Sequence, residues 1–146
     1  MNGYTGRIFE EEVLGEIHLS WDGDGYMTYN KALEYVKENQ EWDPTDPDTR
    51  TANDLHALTA LDLEIEDWNK LLLYNAVSSP LDYYHGVDCF FEFEGEIVTI
   101  DLTVNPSKVI YKADLVLHPD DLEKKGIKNI AHLISCMFQK RCKGGI

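Results

Sequence analysis

Residues 83–103 read YYHGVDCFFEFEGEIVTIDLT, and this stretch decides the fold class. Two apolar runs flank an acidic turn with a central glycine, which is typical of a hairpin. They predict strands at about 84–94 and 96–104. Near the point where the sheet would open, each strand carries one carboxylate, Asp88 or Asp101. Because a carboxylate among apolar neighbours is costly unless it is paired, protonated or bound to a metal, these acids are candidate cation ligands.

The second strand separates its side chains into two sets, because successive residues of a strand point to opposite faces. One set predicts the core and comprises Val98, Ile100, Leu102 and Val104. The other set comprises Ile97, Thr99, Asp101 and Thr103. Asp88 lies across the turn, and neighbouring strands can place such acids side by side, where carboxylate oxygens suit Mg²⁺ or Mn²⁺. Alternatively, Asp88 ends a strand by accepting backbone hydrogen bonds and Asp101 faces solvent.

The segments around this hairpin predict helices and one more strand. A helix capped by Thr28 runs to about Gln40, and a loop rich in proline and acids follows. An apolar stripe at steps of three and four residues predicts a helix over about 54–77. A third strand is expected at about 109–117 and a final helix ends near Cys142. Residues 7–19 mix acids with apolar residues and do not decide between helix and strand, and residues 21–25 predict a turn.

This order predicts an α+β (α/β) domain with a small mixed sheet of three or more strands flanked by helices. The length of 146 residues suits a single domain with its own core. We expect residues 1–53 to form an acidic N-terminal extension and residues 54–146 to form an α-β-β-β-α core.

Composition favours a cytoplasmic protein. The three cysteines show no Cys-x-x-Cys spacing, which indicates a reducing compartment without disulfides or a zinc knuckle. No apolar run is long enough to cross a bilayer, and the N-terminus does not resemble a signal peptide. A small acidic chain of this kind would suit a bacteriophage or mobile-element origin.

The net charge of −14 is distributed unevenly. Residues 1–106 carry 23 acidic and 5 basic side chains, whereas residues 107–146 carry 4 acidic and 8 basic side chains. Because binding to phosphates favours basic proteins, the whole chain is a poor generic DNA binder. The acidic front instead fits a protein that binds a basic partner or imitates nucleic acid.

The motifs Gly86-Val87-Asp88 and Ile100-Asp101-Leu102-Thr103, with the order of elements, resemble the PD-(D/E)XK nuclease superfamily. The resemblance covers roughly residues 54–142 and implies a restriction-endonuclease-like fold. It implies a metal-dependent endonuclease, a hydrolase in which Asp88 and Asp101 bind Mg²⁺ or Mn²⁺. A glutamate on the preceding helix sometimes joins such a site, and Glu64 is the candidate.

The chain departs from this pattern at Thr103, which stands where the family has a lysine that orients the attacking water. Threonine carries no charge and cannot do the same work. Lys108 or Lys112 could supply the amine from the next turn or strand; otherwise the chain is an inactive relative. His85 could ligate a metal or activate water, or it could be a packing residue.

Two functions follow from these features. The first is a nuclease, or its inactive relative, that acts on nucleic acid. The second is a small acidic interaction protein or inhibitor that occupies a basic groove of a nucleic-acid-processing protein. The excess of acids over residues 1–106 motivates the second function.

Overall fold

A mixed sheet organises the chain in the computed structural model, which describes residues 4–16, 23, 25–107 and 112–144. The strands are β1 (Leu72–Asn75), β2 (Cys89–Phe93), β3 (Glu96–Leu102) and β4 (Leu115–Leu117), and they lie in the order β1-β2-β3-β4. The first three strands pair antiparallel, and β4 is parallel to β3. The described residues therefore form an α+β fold with an open, four-stranded mixed sheet.

The described residues also contain five α-helices. They are α1 (Gly6–Leu14), α2 (Tyr29–Glu38), α3 (Arg50–Leu63), α4 (Pro80–His85) and α5 (Gly126–Gly144). Short 3₁₀ turns cover Trp68–Lys70 and Pro119–Leu122. Among these helices, none combines the length and apolar character needed to cross a membrane.

The β2–β3 hairpin is present as predicted from the sequence, but the predicted start of its first strand is wrong. Residues 80–85 form α4, which the sequence did not predict, and β2 begins only at Cys89. The register of the hairpin pairs Cys89 with Ile100 and Phe93 with Glu96. The turn residues Glu94 and Gly95 both have positive φ, at 51° and 80°. This matches the tight hairpin turn, in which residues with positive φ preserve the twist of the strands.

Both faces of the sheet are buried, each by its own helices. Helices α1, α3 and α5 cover the face that carries Val98, Ile100 and Leu102. Helices α2 and α4 cover the other face, where Phe90 and Ile97 pack. A sheet covered on both sides explains why β2 and β3 are nearly continuous apolar runs.

The side chain of Asp114 attaches β4 to the middle of the sheet. It accepts a hydrogen bond from the backbone N–H of Thr99 at 2.9 Å, and the Thr99 hydroxyl accepts one from the backbone N–H of Asp114 at 2.9 Å. Arg141 of α5 donates to the same carboxylate at 2.8 Å. The polar contacts of Asp114 thus connect β3, the start of β4 and the last helix.

The helix expected over 54–77 is wrong in its second half. Helix α3 ends at Leu63, Glu64 adopts the left-handed conformation with φ 57°, and the chain then enters β1. The stripe that suggested a longer helix is only partly buried, since Leu61 is 59% and Trp68 is 39% exposed. The alternating residues Leu71 and Leu73 are buried instead, because β1 pairs with β2.

The third predicted strand is shorter than expected. Residues 115–117 pair with β3, whereas residues 108–111 lie outside the described part of the chain. The predicted helix after Thr28 and the predicted last helix are both present, as α2 and α5.

The N-terminal region packs into the main core. Thr5 caps α1 by accepting a hydrogen bond from the N–H of Ile8 at 3.2 Å, and Phe9 and Val13 join the core cluster under α3 and α5. The indole N–H of Trp42 donates to the carbonyl of Leu73 on β1 at 2.9 Å. The described part of the segment expected as an extension therefore shares the core of the sheet.

The position of α1 yields a test of this shared core. Phe9→Ala should lower the free energy of unfolding by about 3–5 kcal/mol, because it empties a packed aromatic site. Ile8→Ala on the exposed side of the same helix should change it by no more than about 0.5 kcal/mol. Chemical denaturation measures both values, and equal small effects would show that α1 does not belong to the core.

Candidate functional site

Two acids meet at the open end of the β2–β3 hairpin. Asp88 immediately precedes β2 and Asp101 lies on β3. Because Cys89 pairs with Ile100, the register places the two acids opposite each other on one side of the sheet. Their carboxyl groups are joined by a hydrogen bond. The convergence that the sequence predicted for these residues is therefore present in the structure.

The pair is buried, and burial changes its protonation. Asp88 is 2% exposed and Asp101 is 7% exposed. Burial, followed by the negative charges of Asp82 and Glu10, raises the pKa of Asp88 well above its ordinary value, although the N–H of Leu102 opposes this by donating to Asp88 Oδ2 at 2.7 Å. The pair therefore shares a proton at neutral pH, and one carboxyl group donates it to the other.

Helix α4 positions the third acid of the cluster. Ser79 caps this helix, with its hydroxyl accepting a hydrogen bond from the N–H of Leu81 at 3.2 Å, and Pro80 occupies the first helical position. Asp82 then lies in the first turn and accepts a hydrogen bond from the N–H of Ser78 at 2.9 Å. A carboxylate at a helix N-terminus is favoured by the helix dipole.

Helix α1 contributes the fourth acid, Glu10. Burial, then the charges of Asp82 and Asp101, raise the pKa of Glu10 from 4.5 to about 7. The nearby Arg7 lowers it by a smaller amount. Four carboxyl groups from four parts of the chain thus influence one another, with the buried pair at the centre and the half-buried Glu10 and Asp82 beside it.

This cluster offers oxygen donors, the ligands that hard divalent cations prefer. In the described part of the chain, no group of three or more His, Cys, Asp or Glu side chains is arranged to hold a metal ion. The direct donor set is therefore the pair Asp88 and Asp101. No protein-family model, curated protein or solved structure matches this chain.

Thr103 stands at the position where the nuclease family has a lysine, and Lys112 and Lys108 are its candidate substitutes. Thr103 donates its backbone N–H to the carbonyl of Leu117 at 3.0 Å, and its hydroxyl accepts the N–H of Asn105 at 3.1 Å. Lys112 donates to the carbonyl of Tyr84 in α4 at 3.2 Å. Lys108 lies outside the described residues.

The helical glutamate beside the acid pair is Glu10 on α1 and not Glu64 on α3, which was the candidate from the sequence. Glu64 is exposed and ends α3. Glu10 on α1 is the helical glutamate whose charge acts on Asp88. The pattern of α1 did not reveal this, because its mixture of acids and apolar residues fits a helix or a strand. Asp82 had a recognisable signal, since it follows a Ser-Pro helix start.

His85 serves as a packing residue. One ring nitrogen donates to the carbonyl of Met27 at 2.8 Å. The ring also packs edge-on against Tyr26 and Tyr29, at centroid distances of 5.6 and 5.7 Å. Its contacts fix the segment before α2 against α4.

The raised pKa of Glu10 predicts a stability that depends on pH. A carboxyl group whose folded pKa lies above its unfolded pKa binds more protons when folded, so it stabilises the fold below the unfolded pKa and this is lost as pH rises through the folded pKa. In buffer with a chelator, Glu10→Gln should therefore gain stability relative to wild type between pH 4.5 and about 7. The gain should be about 1 kcal/mol, because water screens a half-exposed carboxylate.

Thermal and chemical unfolding at several pH values measure this difference. The control is Glu34→Gln, which removes one charge from an exposed position on α2. A difference between Glu10→Gln and wild type that stays constant across pH would contradict the electrostatic contact of Glu10 with the cluster.

Proposed function

We propose that the chain is a nuclease-like protein of the PD-(D/E)XK type that acts on nucleic acid with Mg²⁺ or Mn²⁺. The observation that carries this proposal is the meeting of Asp88 and Asp101 at one end of a central hairpin. A restriction-endonuclease-like fold is part of the proposal. It is supported by the hairpin, the further strand and the final helix, which follow in the order that the resemblance implies.

The donor chemistry fits a divalent cation. Mg²⁺ is often held by one or two carboxylates while water and substrate phosphate complete its coordination. Asp88 and Asp101 would hold the ion, with Glu10 and Asp82 adding negative charge nearby. A bound ion of this kind activates water and neutralises charge that develops on a phosphate during hydrolysis.

The residues of the chain would hold the cation ligands in place and would gain or lose the protons of the reaction. The N–H of Leu102 holds one oxygen of Asp88 in place. Cation binding requires the pair to release its shared proton, because metal ligands bind as anions. Thr103 brings no charge, so water activation would fall to Lys112 or Lys108. Lys112 contacts α4, the helix that precedes Asp88. Without such an amine, the chain would retain cation binding and lose cleavage.

The location of the protein in a reducing cytoplasm belongs to the same proposal. Cys89, Cys136 and Cys142 are all free thiols. Free cysteines are usual where thiols are kept reduced.

Asp88→Asn provides the sharpest test. The amide can still accept from the Leu102 N–H and donate to Asp101, so the fold should persist while the metal ligand is lost. We expect wild type to bind Mn²⁺ in calorimetry and Asp88→Asn to bind it at least about tenfold more weakly. Cleavage of single- and double-stranded DNA and RNA with Mg²⁺ or Mn²⁺ should likewise disappear in Asp88→Asn and Asp101→Ala.

Asp54→Asn is the matched control, because it removes one exposed carboxylate of α3. It should leave Mn²⁺ binding and cleavage unchanged. Wild-type protein that binds neither ion and cuts none of the four substrates would refute the enzymatic proposal. Binding without cleavage would identify an inactive relative.

A second function is supported by the ordered acidic loop between α2 and α3. Asp43 accepts hydrogen bonds from the N–H and hydroxyl of Thr45 at 2.9 and 2.7 Å. Asp46 accepts one from the side chain of Asn53 at 2.7 Å. The neighbouring carbonyl of Pro44 accepts the N–H of Leu73, which fastens the loop to β1. Fixed carboxylates of this kind suit an inhibitor that binds a basic groove of a nucleic-acid-processing protein.

Replacing Asp43, Asp46 and Asp48 together by Asn tests this function, because the amides retain acceptor oxygens. Poly-L-lysine serves as the basic probe, in titrations at increasing salt. If the loop is the binding surface, the triple variant should bind about tenfold more weakly at low salt, and the difference should shrink as salt screens the charges.

A control variant loses three exposed acids elsewhere, through Glu34→Gln, Glu38→Gln and Glu66→Gln. It has the same net charge as the loop variant. Equal weakening in both triple variants would mean that binding reports only total charge, and the loop would then have no special role.

A further inference from the structure

A cysteine, a histidine and an aspartate meet where α3 packs on α5. His132 and Cys136 lie four residues apart on α5 and therefore share one helix face. The Sγ atom of Cys136 lies 3.5 Å from Nε2 of His132. On the other side of the ring, Nδ1 of His132 lies 3.0 Å from a carboxylate oxygen of Asp62 in the last turn of α3.

This geometry assigns a role to each atom. A carboxylate accepts hydrogen bonds, so the proton on Nδ1 of His132 donates to Asp62. That tautomer leaves a lone pair on Nε2, which lies 3.5 Å from Sγ of Cys136. Sγ is also 4.0 Å from Nδ1 and therefore lies beside the ring, and a turn of the exposed Cys136 side chain brings the thiol in line with that lone pair. A base so oriented can remove the proton of a nucleophile, which is the arrangement of a thiol–imidazole–carboxylate triad. Asp62 is a positioning residue, because it acts through the ring.

We propose that Cys136 is a nucleophilic thiol that undergoes exchange with low-molecular-weight disulfides such as glutathione disulfide. The site would thereby become reversibly S-thiolated. This inference concerns residues other than the carboxylate cluster and does not depend on the proposed nuclease function. A metal site is not favoured here, since no group of three such side chains in the described residues is arranged to hold an ion.

Exposure supports this reaction. The Cys136 thiol is exposed, and the side chain of His132 is 64% exposed, so a small solute can approach both. Asp62 is less exposed, at 31%. An open surface suits a small disulfide in solution, whose exchange requires access of one sulfur to a thiolate.

The other two cysteines lie in environments that oppose reaction. Burial, then the charges of Asp88 and Asp101, raise the pKa of the Cys89 thiol well above its ordinary value. Cys142 is on the same helix as Cys136, but burial and the nearby Glu94 raise the pKa of its thiol. Since the thiolate is the reactive form, Cys142 serves as an internal control for Cys136.

The exchange step balances without a further reagent. Nε2 of His132 takes the proton from Cys136, and the thiolate attacks one sulfur of the disulfide. The bond between the two sulfurs of the reagent breaks as the new Sγ–S bond forms. The leaving thiolate takes the proton from His132 and departs as a free thiol. Cys136 is oxidised to a mixed disulfide, and half of the reagent is reduced.

Incubation of the full chain with glutathione disulfide at neutral pH tests the proposal. Intact-mass and peptide mass spectrometry would follow the modification of each cysteine over time. We expect Cys136 to react first, and His132→Gln to slow its reaction by at least about tenfold, since a positioned base is lost. Asp62→Ala should also slow it, and Asp62→Glu should restore most of the rate.

Two comparisons separate the triad from simple exposure and from general charge. Lys140→Gln removes an exposed cation one turn beyond Cys136 and should leave the rate unchanged within about twofold. The slower reaction of Cys142 should be the same in wild type and His132→Gln. A Cys136 rate that is unchanged in His132→Gln would overturn the proposal, because exposure alone would then explain the reactivity.

Discussion

The register of the β2–β3 hairpin is the constraint on which the rest of the structure depends. Pairing of Cys89 with Ile100 places Asp88 opposite Asp101 and also determines which residues enter each core. A shift of one residue would exchange the two faces of a strand and move the apolar residues of β3 out of the main core. Two buried carboxyl groups therefore accompany the register that aligns Cys89 and Phe91 of β2 with the face of β3 that enters the main core.

Two carboxylates in contact within a protein interior repel each other, and the fold has to remove one charge. A proton shared by Asp88 and Asp101 achieves this, since burial and the neighbouring acids raise the pKa of Asp88 and the two carboxyl groups are hydrogen-bonded. A divalent cation would achieve the same neutralisation with the opposite proton balance, since both ligands would then be anionic. If the proposed cation binds, it would compete with the proton for one position, and the negative charges of Asp82 and Glu10 would favour either of them.

Local sequence patterns predicted those elements whose apolar residues give a clear signal within one segment of the chain. The β2–β3 hairpin consists of two apolar runs around a glycine turn, and α5 carries a sustained apolar face, so the hairpin turn and the last helix are both present as predicted. The boundary after α3 was missed because Leu61, Ile65 and Trp68 continue a helical spacing that the folded chain does not bury fully. There, the pairing of β1 with β2 outweighs local preference, and such pairing between distant segments leaves little trace in the sequence.

Each cluster of reactive side chains likewise combines residues related by sequence spacing with a residue that packing brings from a distant element. Half of each cluster is visible as spacing: Asp88 and Asp101 across a turn, and His132 and Cys136 one helical turn apart. The other half arrives from a distant element by packing, as Glu10 does on α1. Asp62 on α3 is the second example.

The residues supplied by packing are those that set the charge state of the others. Glu10 adds negative charge beside a buried pair, whereas Asp62 orients an imidazole toward a thiol. A nearby carboxylate therefore has opposite chemical effects at the two places. At Asp88 it favours the protonated form, whereas in the proposed exchange reaction the carboxylate of Asp62 would orient His132 as the base for Cys136. Cys142, which faces Glu94 directly, shows the effect of a carboxylate on a thiol without that intervening ring.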